Sequence, residues 1–341
     1  MITTLALTLA FLLALALAPL TMWAARRWDM VDYPGGRRQH QGAIPRLGGL
    51  AIYGGFVGSS LLLRALPASW LPVSTDPGES FRWLGLMLGV SFVVAFGLLD
   101  DKFGFGSGPQ YLAQVVAAAI AISFTIFIER VNNPLGPSQI IFPWYIIWPL
   151  TLFWFLGFIN TVNFLDGVDG LAAAVTAVVA VVLAIHMART GQYSVMLLAL
   201  SLLGAVAGFL VFNWPPAKLF MGSSGSYFLG FILAALGLIA GARVATVLLV
   251  MGLPIMDVAW LIWWRWRHHK PLFQGDRNHL HFRLLDKGFS ARQIVLGYML
   301  FGAVFGAISL MAASTTFKLL ALLALMLLGG GIILWAAPRE S

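Results

Sequence analysis

Long apolar stretches separated by short polar breaks run through the whole chain. Stretches of the length a helix needs to cross a bilayer, roughly 17 to 25 residues, fall near 2–24, 47–65, 82–99, 110–128, 141–161, 170–188, 193–212, 225–241, 243–264, 292–312 and 315–336. The pattern predicts an all-α integral membrane protein: a single polytopic domain over 1–341, folded as a bundle of about eleven transmembrane helices. Neither an internal repeat nor an inverted pair of broken helices of the transporter kind is visible along it.

Composition agrees with the pattern. Of 341 residues, 60% are hydrophobic and 10% charged, which excludes a soluble globule with a polar skin. The chain has no cysteine, so disulfides and thiolate metal sites are excluded as well. The net charge of +8 is unevenly placed. The segment up to Ala24 is apolar without a basic lead, and Arg26 and Arg27 follow it, which argues against a cleaved signal peptide and for a first span with the N-terminus outside. With that orientation, 15 of the 21 Lys and Arg residues fall on the cytoplasmic side. No basic stripe interleaved with aromatics points to nucleic acid, so the basic residues are expected to set topology and to meet lipid or substrate phosphates.

Against this background one segment stands out. Asn163 to Leu171 reads Asn-Phe-Leu-Asp-Gly-Val-Asp-Gly-Leu, two carboxylates and an amide at the end of a run without charge since Arg130. Ionisable groups at the hydrocarbon edge are costly unless paired, hydrated or bound to a ligand. Asn163, Asp166 and Asp169 are spaced by three, which in a helical turn places them on roughly one side. Gly167 and Gly170 allow close backbone approach to a ligand.

The other polar breaks fall on the same predicted face. The first cytoplasmic loop carries Asp32, Arg37, Arg38 and His40, then Arg46 between Pro45 and a glycine pair. Arg37 and Arg38 fit either a topology anchor or a site, whereas Arg46 is placed where a guanidinium reaches a lipid phosphate. Asp100 and Asp101 close the third run, at a helix C-terminus that would rather hold a cation. Asn213 precedes Phe220-Met-Gly-Ser-Ser-Gly-Ser226, whose Gly and Ser residues suit either helix packing or exposure of N–H groups to phosphate. The longest cytoplasmic loop holds Asp276-Arg-Asn-His279-Leu-His281-Phe-Arg283, a solvated basic loop or an anion site; no third soft ligand adjoins the histidines to favour zinc. Asp257, deeper in the ninth run, is open between a partner for an arginine such as Arg265 and a wall of the site.

Taken together, the segments at 31–49, 100–101, 163–172, 220–226 and 279–281 resemble the polyprenyl-phosphate N-acetylhexosamine-1-phosphate transferases in identity and order along nearly the whole chain. The resemblance implies an eleven-span enzyme of the plasma membrane with a cytoplasmic active site. Its partners would be UDP-N-acetylhexosamine, undecaprenyl phosphate and membrane lipids, its cofactor Mg²⁺ or Mn²⁺, and its product the lipid diphosphate sugar that starts cell-envelope glycans. A homodimer is a further expectation, from the amount of apolar surface. By the same resemblance Asn163 would be a metal ligand, Asp100 would act beside the lipid phosphate, and Asp101 and Asp166 would hold the metal and its surroundings. Phe220 would stack on uracil, Asn213 and Asp169 would contact the nucleoside, His279, His281 and Arg283 would engage sugar and pyrophosphate, and Arg46 the acceptor phosphate.

The chain departs from the family pattern at Ser223, where the resemblance places a metal-binding aspartate. A hydroxyl is a poor substitute for a carboxylate on a hard dication. An inactivating change, a natively weak member, a non-catalytic binding relative and compensation by another carboxylate are all open. An ion-coupled transporter fits less well, because nearly all the charges cluster at one face. Phe282, Gly104 and Gln110 also differ from common family residues.

Overall fold

A computed structural model describes residues 1–33, 42–74, 76–133, 136, 138–239, 244–270, 278–312 and 314–337. Arg37, Arg38, His40, Asp276 and Arg277 lie outside the described residues. Each apolar run contains a helix among the described residues. The helices are α1 (Ile2–Arg27), α2 (Gly48–Arg64), α3 (Glu79–Phe103), α4 (Ser107–Ser123), α5 (Trp144–Leu165), α6 (Leu171–Arg189), α7 (Tyr193–Asn213), α8 (Gly222–Ile239), α9 (Val244–Val250), α10 (Gly252–Arg267), α11 (Leu280–Asp286), α12 (Ala291–Met311) and α13 (Thr315–Ala336). Two small antiparallel ribbons complete the architecture: β1 (Val31–Asp32) with β2 (Ile44–Pro45), and β3 (Arg130–Asn132) with β4 (Gln139–Ile141).

Among the described residues, eight helices are long and apolar enough to span a membrane by length and composition. α2 and α4, at 17 residues each, lie at the short end of the spanning range. The run at 243–264 is not a single straight span: α9 and α10 meet at a bend of 80° around Met251, with Pro254 in the first turn beyond it. Pro254 has no N–H to continue the helical ladder, which accounts for a break at this point. The consequence is local but important. Asp257 sits on a helix that leaves the bend toward the 278–286 segment instead of continuing the axis of α9.

The bundle is organised around α8, the most enclosed of the spans, with 89% of its apolar window buried, against 28% for α1 and for α13. In a bilayer the packing of helices depends on close van der Waals approach more than on expulsion of apolar surface, so small residues mark the crossings. Gly49 of α2 lies against Gly225 of α8, and a Cβ added there would come 2.3 Å from the Gly225 nitrogen. On α3, Gly97 lies against the Ser224 backbone in the same way, at 2.4 Å from its Cα. α1 docks through Ala6, Ala10, Ala14 and Ala18, four apart and all fully buried, with Gly204 and Gly208 of α7 beneath them. A stripe of that period lies along one helix face.

This arrangement places the start of α8, the end of α3 and the start of α2 within bonding distance of each other. The Gly49 crossing is therefore also a site constraint. Gly49→Val is expected to lower the melting temperature in detergent by several degrees, as overpacking of about 1–3 kcal/mol predicts; a melting temperature equal to that of the unmodified protein would show that α2 and α8 do not approach as described.

Candidate active site

The carboxylates of the 163–171 segment lie on a turn. α5 ends at Leu165 with Asp166 at its C-cap, and α6 begins after Gly170, whose φ is 74°. Asp166 and Asp169 are thus presented by a non-helical connection, not by the helical turn their spacing suggested. Glycine meets the left-handed backbone requirement at Gly170 without steric cost. The Gly170 N–H donates to Asn213 Oδ1 at 3.0 Å, and Asn213 Nδ2 donates to the Leu219 carbonyl at 2.8 Å. The Ala217 N–H donates to Asp169 Oδ2 at 2.9 Å. Asn213 is buried, with its amide oxygen and nitrogen each bonded to backbone. It ties the aspartate turn to the 214–221 segment that leads into α8.

Asp101 holds the start of α8. Its side chain is fully buried. Oδ1 accepts from the Ser223 N–H at 2.8 Å and from Arg46 Nη2 at 3.0 Å, and Oδ2 accepts from the N–H and hydroxyl of Ser224, each at 3.1 Å. The first N–H groups of a helix have no partner within it, and the positive end of the helix dipole favours an anion there. Asp101 thus caps α8 from a different helix. Gly222, with φ of 69°, makes room for it: a Cβ would sit 2.6 Å from Asp101 Oδ2. Arg46 also stands 4.0 Å from buried Asp32, so one guanidinium faces two carboxylates.

The neighbouring Asp100 points elsewhere. It is buried and accepts from the Phe105 N–H at 3.0 Å, from the Gln110 side chain at 3.1 and 3.2 Å, and from the Tyr227 hydroxyl at 3.2 Å. Asn163, in the last turn of α5, accepts at Oδ1 from the Ser226 hydroxyl at 2.8 Å, which ties the aspartate segment directly to α8. The half-buried Ser223 lies one turn before Ser226, whose hydroxyl also reaches the Ser223 carbonyl at 3.3 Å. Phe220 is half-buried, and its backbone pairs with the β2–α2 connection: its N–H donates to the Pro45 carbonyl at 2.8 Å and its own carbonyl accepts from the Gly48 N–H at 2.9 Å.

The histidine segment closes on the same place. The ring of His279 is stacked between Phe164, with centroids 4.9 Å apart, and His281, 5.6 Å away and parallel within 3°. Phe164 adjoins Asn163 in sequence. His281 lies against Gly167, where an added Cβ would come 2.9 Å from Nε2. His279 Nδ1 and Arg283 Nη2 both reach Asp257, at 2.9 and 3.2 Å. These links connect Arg46, Asp101, Asn163, Asp166, Asp169, Ser223, His279, His281 and Arg283 around one end of the bundle, with Asn213 and the Phe220 backbone in the connection before α8 and Asp100 turned toward Gln110 and Tyr227. Sequence reasoning gave no role to Ser226, Tyr227, Phe164 and Asp32, and left Asp257 open between a partner for an arginine and a wall of the site. All but one of these stand beside or within a quoted motif, and Asp257 alone depends on the bend at Met251.

Negative charge is concentrated at the aspartate turn. Burial raises the pKa of Asp166 well above the usual carboxylate range; the charge of Asp101 raises it further, Arg46 opposes, and Asp169 adds a smaller push upward. Three carboxylates thus act on one another with Arg46 as the cation that offsets them. Among the described residues no group of three or more His, Asp or Glu side chains is gathered as a metal cage. Mg²⁺ does not need one, since it is commonly held through one or two protein oxygens with phosphates and water completing its octahedron. The residues fit Mg²⁺ on that basis, through Asn163 and the adjoining carboxylates, while Ser223 offers only a hydroxyl.

The sequence profile described as Glycosyl transferase family 4 matches residues 83–241. Over 317 residues the chain is 30% identical to a probable undecaprenyl-phosphate N-acetylglucosaminyl 1-phosphate transferase of Bacillus subtilis, covering 91% of this chain and 85% of that protein. The chain belongs to glycosyl transferase family 4. Other members similar to it are a decaprenyl-phosphate N-acetylglucosaminephosphotransferase of Mycobacterium tuberculosis, 30% identical over 87% of this chain and 80% of that protein, and an undecaprenyl-phosphate alpha-N-acetylglucosaminyl 1-phosphate transferase of Haemophilus influenzae, 29% identical over 89% and 83%. The family 4 match includes α3 to α8 and hence the aspartate turn and the capped start of α8; the histidine segment lies C-terminal to it.

Two measurements test these electrostatics. A carboxylate whose pKa is raised on folding costs stability once the pH exceeds its unfolded value. Asp166→Asn is therefore expected to raise the melting temperature of the ligand-free family 4 protein at pH 7.5 by about 2–4 °C and to shrink the stabilisation by Mg²⁺; a lower melting temperature would contradict the reading. His281 behaves oppositely. Burial lowers its pKa from 6.5 to about 3, with Arg283 and His279 adding to the effect and Asp257 opposing it. A depressed folded value means stability that is present above pH 6.5 and lost as the pH falls toward 3. Between pH 7.5 and 5 the melting temperature of His281→Gln is expected to fall less than that of the unmodified protein, and equal slopes would sink the assignment.

Proposed function

We propose that this protein transfers N-acetylhexosamine-1-phosphate, in the first place GlcNAc-1-phosphate, from a UDP-sugar to undecaprenyl phosphate at the cytoplasmic face of the plasma membrane. The observation that carries the reading is the convergence of the Asp166/Asp169 turn, the capped start of α8 and the His279–Arg283 segment on one place at one end of the bundle. The names of the family members supply the reaction class; the geometry supplies groups suited to it. An oxygen of the lipid phosphate attacks the sugar-bearing phosphorus of the donor, the bond to the bridging oxygen breaks, and UMP leaves.

Two anions must meet in this reaction, and protein groups can offset their charge mainly by position. Arg46, held by Asp101 and Asp32, is proposed to face the acceptor phosphate, with Asp100 on the same helix end as the carboxylate that takes its proton. His281, buried with neither ring nitrogen hydrogen-bonded among the described residues, is proposed to meet the donor beside His279 and Arg283. Such buried polar atoms call for a partner. Phe220 is assigned to uracil and Asp169 to the nucleoside side, with Asn213 holding the turn. Bound Mg²⁺ would neutralise charge on the diphosphate, held by Asn163 with Asp166 and Asp101 nearby.

Ser223 favours a second reading, a relative that binds nucleotide sugar or lipid phosphate with little turnover. Purified protein with Mg²⁺, UDP-GlcNAc and undecaprenyl phosphate is expected to release UMP slowly, and Ser223→Asp to raise the rate by about two orders of magnitude or more, as a lost charged ligand implies. Silence of the Ser223→Asp protein with UDP-GlcNAc and with other UDP-N-acetylhexosamines would remove the transferase reading. Equal rates with Ser and Asp would show that this position does not ligate the metal.

A further inference from the structure

Asp257 lies on α10, apart from every segment that carries the family resemblance, and the bend at Met251 turns it toward the site. It is buried to 3% exposure, a poor place for a carboxylate without partners. It has three. Oδ1 accepts from the Leu280 N–H at 2.8 Å and from Arg283 Nη2 at 3.2 Å, and Oδ2 faces His279 Nδ1 at 2.9 Å. Leu280 opens α11, so the carboxylate also sits at the start of the helix that carries His281 and Arg283. Arg283 is fixed from its other side as well, donating through Nη1 to the Ile333 carbonyl at 3.1 Å.

We infer that Asp257 is a positioning residue for the proposed transfer: it holds His279 with its proton on Nδ1 and keeps Nε2, on the opposite edge of the ring, as the nitrogen that meets the donor. The inference rests on the transferase reading for its function and on the geometry alone for the proton. A carboxylate paired with a guanidinium accepts and does not donate, so the nitrogen facing it must carry the hydrogen. Stacking between Phe164 and His281 fixes the plane of the ring, and Asp257 fixes its rotation within that plane. Nε2 is then a lone pair that accepts a proton and, once protonated, an N–H charge-assisted toward a phosphate oxygen. A carboxylate behind a functional histidine has this effect in unrelated enzymes, acting through the ring and not on the substrate.

The division of labour between the two oxygens makes the inference testable. In Asp257→Asn one oxygen remains, and both the Leu280 N–H and Arg283 compete for it on the Oδ1 side. The amide NH₂ is therefore left facing His279 Nδ1, which must now accept, and the proton moves to Nε2. Asp257→Glu keeps a carboxylate and should keep the tautomer.

The experiment uses the full chain in lipid nanodiscs with ¹⁵N-labelled histidine, at about pH 8.5, where a histidine of ordinary pKa is neutral. The His279 signals are assigned by their loss in His279→Gln. The expected result is Nδ1–H for the unmodified protein and for Asp257→Glu, and Nε2–H for Asp257→Asn. Kinetics are measured in the Ser223→Asp background: Asp257→Asn is expected to lower kcat by about 10²- to 10⁴-fold with KM for the UDP-sugar within about threefold, and Asp257→Glu to recover part of it. If Asp257→Asn does not fold, the double variant Asp257→Asn with Arg283→Gln, which removes the cation left unpaired, takes its place. An Nε2–H tautomer in the unmodified protein, or an unchanged tautomer and kcat in the folded Asn variant, overturns the inference. A silent Ser223→Asp protein counts against the transferase reading, and the tautomer then still decides what Asp257 does.

Discussion

A buried carboxylate that caps a helix from outside it holds this site together. Asp101 belongs to α3, yet its two oxygens satisfy the first N–H groups of α8 and bind Arg46 from the segment before α2. Three elements distant in sequence are fixed by one side chain. The cost of burying the charge is offset by the helix dipole, by two backbone N–H groups and by the guanidinium. This interaction needs close packing, because α2 and α3 must both reach the start of α8. Gly49 and Gly97 provide that approach, and so the small residues of the membrane crossings are also what bring Arg46, Asp101 and Ser223 to one point.

From that point the rest of the site is built by short links. Ser226, one turn along α8, holds Asn163; Asn213 and Ala217, just before α8, hold Gly170 and Asp169. Among the described residues Asp166 carries no comparable tie. It remains half-buried among like charges, with its pKa pushed upward. Stable anchoring and deliberate charge excess are thus divided among neighbouring residues. At the opposite end of α3, roughly 35 Å away for a helix of this length, a cavity of about 760 Å³ is lined by Asp76, Arg82, Glu129 and Arg130. There the charges are paired as Arg82 with Asp76 and Arg130 with Glu129, and none of the nominated site residues is present.

The architecture was legible because membrane helices announce themselves: a run of apolar residues long enough to span has few other uses, and each of the eleven runs contains a helix among the described residues. The site residues were legible for a related reason, since charge in such a chain is rare enough for each instance to invite an explanation. What the one-dimensional pattern concealed was direction. Asp100 and Asp101 are adjacent and chemically identical, but one is turned into Gln110 and Tyr227 and the other onto α8. Asn213, nominated as a ligand contact, also clamps backbone on both sides of its amide. Asp257 was open between two roles, because the bend that aims it at His279 is marked only by Met251, Gly252 and Pro254 in an otherwise continuous apolar run.

Ser223 follows from the same balance of charge. Its N–H is bound by Asp101, so a carboxylate side chain here would stand beside Asp101 and near the field that already raises Asp166. In the absence of a cation such a residue adds repulsion at the start of α8; with a dication present it becomes a strong ligand. A serine removes both effects. With serine here that added repulsion is absent from the start of α8, while Asn163 keeps its bond to Ser226 and His279 its bond to Asp257. On the proposed transferase reading, metal binding and binding of the organic groups are separable at this position, since a serine alters the charge beside Asp101 and leaves the Asn163–Ser226 and Asp257–His279 contacts in place.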